Sequence, residues 1–141
     1  MAVDTEKSRI YPCLPEYFDL EGRVMYAYLT GSASWFVLTL LTQVFGIRGK
    51  EGDLLIEPKL SKEQFLNSTV IKISKEFCGH RLEVSFTNSQ RLDYPEYRIK
   101  KVTLDSNTLP LANSLSIIIK RQSIKKLSQN KIHRLEIILG C

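Results

Sequence analysis

The residues best suited to chemistry form one short run, Thr30-Gly31-Ser32-Ala33-Ser34, which leads into the longest apolar stretch of the chain. Hydroxyls recur at alternate positions, on Thr30, Ser32 and Ser34. At the start of a helix the first backbone N–H groups lack intrahelical partners and point along the positive end of the helix dipole. Gly31 has no Cβ to hold a ligand away from that backbone. Together these groups make a cradle for phosphate or sulfate. The same run also reads as a plain capped helix start, with Ser32 as N-cap and small residues that allow close packing. Residue types alone leave both readings open.

Other groups offer less. His80 falls in an expected turn and His133 opens the last expected strand, as isolated histidines at a surface or an edge. Neither has Cys or Asp at metal-ligand spacing. Asp93-Tyr94-Pro95-Glu96 reads as a turn rather than an acid pair. Cys13, Cys78 and Cys141 have no neighbouring base to activate a thiolate. They are too few and too scattered for a disulfide framework or a zinc site, and they fit a reducing cytoplasm. No catalytic residue, metal or cofactor is expected from these groups.

The element that must position the Thr-Gly run is a helix over Ala33–Phe45, closed by Gly46. Its apolar residues wrap the whole cylinder, which marks a helix buried on all sides or one in a membrane. A bilayer needs about 20 apolar residues, and this shorter run contains Thr39, Thr42 and Gln43. No membrane span is expected; the helix belongs to a helical assembly. No second long helical pattern exists to surround it, so either a later sheet covers it or its neighbours lie elsewhere. Upstream, Met1–Ile10 has no apolar core and is not expected to act as a signal peptide. Tyr11, Pro12, Pro15, Tyr17 and Phe18 predict an extended loop over Ser8–Arg23 that packs on something.

From Gly52 the period changes. Leu54–Ile56, Val70–Ser74, Leu82–Phe86, Tyr97–Leu104, Ser114–Lys120 and His133–Leu139 read as strands, punctuated by Cys78-Gly79-His80 and Asp105-Ser106-Asn107 turns. Ser61-Lys62-Glu63-Gln64 has capping-box spacing and predicts one helical turn before Phe65. The spacing predicts an antiparallel β-sandwich or part of one.

A length of 141 residues, 43% apolar and 25% charged, predicts one soluble domain, with or without an appendage, and excludes disordered, collagenous and coiled-coil classes. The net charge of +5 is uneven. Residues 1–97 hold 11 Lys and Arg against 13 Asp and Glu, whereas residues 98–141 hold nine against two. Without interleaved aromatics these basic residues read as strand edges and loops rather than a nucleic-acid site. No nucleic acid is expected as a partner.

The longer pattern carries a resemblance. Glu16-Tyr17-Phe18, Gly22-Arg23, Tyr26-Ala27-Tyr28-Leu29-Thr30-Gly31-Ser32-Ala33-Ser34-Trp35, Leu40-Leu41-Thr42, Phe45-Gly46-Ile47-Arg48-Gly49 and Leu54-Leu55-Ile56-Glu57-Pro58 resemble the C-terminal region of the inverting β-glycoside phosphorylases. These are the cellobiose, chitobiose and β-1,2-oligoglucan phosphorylases, with the related cyclic β-1,2-glucan synthases. The resemblance is densest over residues 16–60 and looser over the later strands. Val24 stands where many relatives have Gly.

The resemblance implies that residues 1–50 are a remnant of a helical catalytic barrel, with the helix Ser32–Phe45 as the last helix of an (α/α)6 barrel. Residues 51–141 would be its C-terminal β-sandwich domain. It implies that Thr30 and Gly31 bind the inorganic phosphate that attacks the anomeric carbon of a β-linked gluco-oligosaccharide, with Ser32 and Ser34 in support. The family's general acid, an Asp, and its phosphate-binding Arg and His have no counterpart here, and Asp19 and Glu21 do not match the acid. Inverting chemistry needs a proton donor to the glycosidic oxygen, so the chain alone is expected to be inactive.

Three readings follow. The chain is a C-terminal fragment of a cytoplasmic carbohydrate phosphorylase or glycosyltransferase; or a free-standing, non-catalytic β-sandwich module that binds carbohydrate or a partner protein; or a subunit that completes a barrel made by another polypeptide. The apolar helix standing alone would be expected to form a homodimer or to recruit the complementing barrel chain.

Overall fold

Two compact units divide the chain, Met1–Leu40 and Leu41–Cys141. The computed structural model describes residues 17–25, 30–111 and 114–141. The expected loop over Tyr11, Pro12 and Pro15, and the run from Tyr26 to Leu29, lie outside the described residues.

In the first unit, β1 (Tyr17–Phe18) and β2 (Val24–Met25) pair antiparallel, with Tyr17 opposite Met25. A two-stranded hairpin therefore replaces the C-terminal part of the expected loop. Its turn closes on Asp19, whose carboxylate accepts the N–H groups of Glu21 and Arg23 at 2.9 Å each and pairs with the Arg23 guanidinium at 2.7 Å. Those bonds hold the Asp19 carboxyl below its ordinary range. Helix α1 then runs over Thr30–Thr39.

The chain continues through a π-helical turn, Leu40–Val44, which Gly46 ends. Gly46 has φ +66°, and a Cβ there would fall 1.8 Å from the Glu57 carbonyl oxygen. Only glycine accepts both conditions. The close approach is stitched by Glu57 N–H to the Gly46 carbonyl and Lys59 N–H to the Val44 carbonyl. Arg48 donates to the Thr42 carbonyl at 3.1 Å and pairs with Glu57, so a cation sits where the helical turn exposes its last carbonyls.

The strands of the second unit are β3 (Ile47–Lys50), β4 (Asp53–Ile56), β5 (Val70–Phe77), β6 (His80–Thr87), β7 (Arg98–Leu104), β8 (Asn107–Thr108), β9 (Ile117–Ile119) and β10 (Ile132–Gly140). A short helix, α2 (Arg121–Lys125), precedes β10, and a 3-10 turn over Lys62–Phe65 follows β4. In that turn Gln64 Oε1 accepts the Ser61 N–H, as the capping-box spacing predicts. Three hairpins close on two residues with positive φ: Glu51-Gly52, Cys78-Gly79 and Asp105-Ser106. That geometry matches the right-handed twist of the flanking strands.

The protein is mainly β. One sheet has the order β3-β4-β9 and the other β5-β6-β10-β7-β8. The expectation of a purely antiparallel sandwich is corrected at the centre of the larger sheet, where β6 and β10 run parallel, with Leu135 beside Val84 and Ile137 beside Phe86. Alternation assigns each side chain to a face but not each strand to a neighbour. A parallel pair needs a long crossover, which β7, β8, β9 and α2 supply. Strand β3, strand β8 and helix α2 were not expected; Arg48, Lys50 and the Lys/Arg-rich 120–126 segment conceal their short apolar content.

The inner faces meet in one core. Leu54, Ile56, Ile117 and Ile119 of the smaller sheet join Leu82, Val84, Phe86, Ile99, Val102, Leu135 and Ile137 of the larger one. Each fully buried aliphatic or aromatic side chain contributes roughly 1.5–3 kcal/mol.

Candidate functional site

Helix α1 starts at Thr30, two residues before the expected N-cap. Ser32 is therefore inside the first turn, half-buried, and not the capping residue; Gly31 and Ser34 are exposed. The Thr30 side chain lies outside the described residues. The structure thus places Thr30, Gly31, Ser32 and Ser34 within little more than one turn of α1. No acidic residue lies in the first turn of α1 itself.

The same helix carries its apolar residues outward. Trp35, Phe36, Val37 and Leu38 are 70, 51, 55 and 46% exposed. Four successive residues are three steps of about 100° on a helix, about 300° in all, so exposed positions fall on every side of the cylinder. Tyr17 and Phe18 on β1 are also exposed, at 63 and 48%.

A second cluster was missed by the sequence reading. His80 and His133 are not surface or edge residues: both are buried, with ring centroids 5.9 Å apart and edge-on. Each takes an inward position on its strand, beside Leu82 and Leu135. His133 Nδ1 lies 2.5 Å from Asp105 Oδ2 and its Nε2 lies 2.8 Å from the Ser128 carbonyl. The other oxygen of Asp105 accepts the Arg134 N–H at 2.9 Å. The His133–Asp105 hydrogen bond raises the His133 pKa against the opposing effect of burial. For Asp105, burial pushes upward, but the bonds from His133 and Arg134 outweigh it and hold the carboxyl low. An Asp–His pair resembles part of a catalytic relay, yet here the far nitrogen is occupied by a main-chain carbonyl in the fold's interior. It joins segments and presents nothing to a substrate. The signal for it was the inward phase of positions 80 and 133 in their alternating strands.

The basic C-terminal region is largely paired or dispersed. Lys120 pairs with Asp53 at 2.9 Å, and Arg98 donates to the Pro95 and Tyr97 carbonyls. On the outer face of the larger sheet, Lys72 pairs with Glu83 and Thr103 donates to Glu136. These contacts describe a solvated face with mixed charge. The Asp93–Glu96 segment is a turn; Asp93 accepts the Lys62 N–H at 2.8 Å and pairs with the Lys62 ammonium. Cys78 and Cys141 are free and exposed. Among the described residues no group of three His, Cys, Asp or Glu could hold a metal ion, and no helix is long and apolar enough to cross a membrane.

No protein-family model matches the chain, and no curated protein is significantly similar to it.

Proposed function

We propose that the chain is the C-terminal part of a carbohydrate phosphorylase or related glycosyltransferase acting on β-glucosides, and that it carries part of a phosphate site at Thr30 and Gly31. The observation that carries this reading is the Leu29-Thr30-Gly31-Ser32-Ala33-Ser34-Trp35 run opening a helix whose apolar side chains are exposed all round. A helix of that composition is suited to the interior of a helical barrel, and its N-terminal end to an anion. On this reading α1 is the last helix of an (α/α)6 barrel, the strands from β4 onward are the C-terminal β-domain, and the working location is the cytoplasm.

In such an enzyme the helix end and Gly31 hold the attacking phosphate, and Ser32 and Ser34 lend hydroxyls. Protonation of the leaving glycosidic oxygen requires a carboxylic acid on the opposite side of the bond, which must come from outside this chain. The chain alone therefore binds phosphate weakly and turns nothing over. Incubated with phosphate and cellobiose, chitobiose or sophorose, the purified chain is expected to release no sugar 1-phosphate. Release above a Thr30→Ala control overturns the prediction of inactivity. An adjacent coding region for the remaining barrel, whose product restores phosphorolysis on mixing, supports the split-subunit form; a mixture that stays inactive counts against it.

A second reading is favoured by the exposure of Tyr17 and Phe18 on one hairpin. Exposed aromatic rings are the usual stacking surface for sugars and for partner proteins. The chain would then be a non-catalytic binding module. Retention on an immobilised β-glucan that is lost in Tyr17→Ala, with the fold intact, separates this reading from the first.

A further inference from the structure

His133 is 1% exposed and its two ring nitrogens face two groups that can only accept, the Asp105 carboxylate and the Ser128 carbonyl. A neutral imidazole has one N–H to give and an imidazolium has two. Both contacts are hydrogen bonds only in the charged form. We propose that the Asp105–His133–Ser128 chain is a pH-sensitive clasp, in which His133 is carried inside the fold as an imidazolium and its deprotonation frees the segment Ser128–Lys131.

The clasp ties together three segments distant in sequence. Asp105 sits in the two-residue turn between β7 and β8, and its own N–H donates to the Arg134 carbonyl at 2.9 Å. Ser128 follows α2, and His133 lies at the start of β10, beside Leu82 of β6. The segment from Lys120 to Lys131 is otherwise held at its beginning by Asp53, which accepts the Arg121 N–H at 2.9 Å, and in its middle by the buried Ile124 and by Leu127, which packs on the core and donates its N–H to the Ile124 carbonyl. The Ser128 carbonyl on His133 holds its end.

The groups facing His133 come from every element around it. Asp105, from the β7–β8 turn, favours the imidazolium; Lys131, on the approach to β10, opposes it; His80, from β6, lies edge-on at 5.9 Å. When the proton leaves, the remaining N–H stays toward the anionic Asp105, the stronger acceptor. The Nε2 lone pair then faces the Ser128 carbonyl, and two acceptors at 2.8 Å repel. Because the folded pKa of His133 is raised, its stabilisation is complete below the ordinary value of 6.5 and is lost as pH rises through the folded value. Asp105 sets the lower limb: its folded pKa is lowered, so its stabilisation is present above 3.8 and is lost as pH falls through the folded value. The clasp is closed between those limits. Its consequence is that Lys131, at the end of this segment, changes from a fixed to a mobile presentation as pH rises through the folded value of His133. The inference does not depend on the phosphorylase reading.

The experiment is a pH titration of the full chain by proton–nitrogen NMR. Two histidines make assignment direct, with His80→Gln identifying the second signal. At pH 6.5 both ring nitrogens of His133 are expected to show imidazolium shifts. The titration midpoint is expected above that of an unstructured histidine, with the Ser128 and Lys131 amides moving at the same midpoint. Asp105→Asn is expected to lower the midpoint by about one pH unit or more. A neutral tautomer at pH 6.5 overturns the proposal, as do amides from 128 to 131 that ignore the His133 titration. Both readings come from the unsubstituted chain, so the test stands even if Asp105→Asn fails to fold.

Discussion

The phenol oxygen of Tyr97 accepts the main-chain N–H of Leu60 at 2.7 Å, and the phenol donates to the Pro58 carbonyl at 2.9 Å. Tyr97 is fully buried, so a single side chain satisfies two main-chain groups in the irregular stretch after β4, where no ladder can. Tyr97→Phe keeps the ring and orphans both groups. An expected loss of about 2–4 kcal/mol follows from two unsatisfied buried groups. It should appear as a lower urea midpoint with an unchanged slope; a midpoint within experimental error of the parent would contradict it.

Burial pushes the same phenol up to about 12, against the Leu60 bond that acts downward. Its stabilisation is therefore complete below pH 10, the ordinary value, and disappears as pH rises toward 12. Ultraviolet titration of the tyrosinate band should find one phenol that ionises only with unfolding. Complete, reversible ionisation of all tyrosines before the fold is lost would refute this.

Gly46 and Gly79 separate steric from conformational cost. Both have positive φ, but a Cβ at Gly79 meets nothing within 4 Å, whereas at Gly46 it meets the Glu57 carbonyl oxygen at 1.8 Å. Gly79→Ala should cost about 1–2 kcal/mol, from the left-handed backbone alone. Gly46→Ala should cost about 3 kcal/mol or more, since main chain must move as well. Thermal midpoints of the two variants give the comparison, and equal losses would discount the close approach.

Asp53 anchors α2 from another sheet strand, accepting the Arg121 N–H and pairing with Lys120. These contacts hold its carboxyl below the usual range, the Arg121 bond first. Asp53→Ala should speed hydrogen exchange at Leu127, whose N–H closes the last turn on Ile124. In the parent the same acceleration should appear as pH falls through the Asp53 value, because a lowered folded pKa gives stabilisation that is present above 3.8. Exchange unchanged by the substitution would remove Asp53 from the account of α2.

Trp35 is the chain's one tryptophan and is 70% exposed on α1. At low concentration its fluorescence should be that of a hydrated indole, readily quenched by acrylamide. Added barrel polypeptide, or self-association at high concentration, should shift it to shorter wavelength. Emission that is already short-wavelength and protected in a dilute monomer would show that the helix is covered within the chain, and would weaken the barrel reading.

How far the sequence was legible varies with the kind of contact. Leu82, Val84 and Phe86 announced a half-buried strand because side-chain direction in a strand repeats every two residues. Gly46 was visible as a stop, and Ser61 to Gln64 as a cap, because both act over a few residues. Strand β3 was hidden, since Ile47 is its one buried residue and its pairing with β4 depends on a two-residue turn. The His80–His133 contact was hidden for a different reason: it joins two strands 53 positions apart whose adjacency is parallel.

By itself, the sequence determined the periods, the glycine that ends the helical segment, the Thr-Gly-Ser run at its beginning, and the apolar character that α1 displays on every side. These are properties of neighbouring residues, fixed by backbone geometry over one turn or one strand. The tertiary structure alone decided that β6 and β10 lie side by side and that His133 is enclosed between Asp105 and Ser128. It also decided that Tyr97 serves Leu60. Each of those depends on which distant segments meet, and the free energy that selects the meeting is the burial of a shared core, which no local pattern encodes.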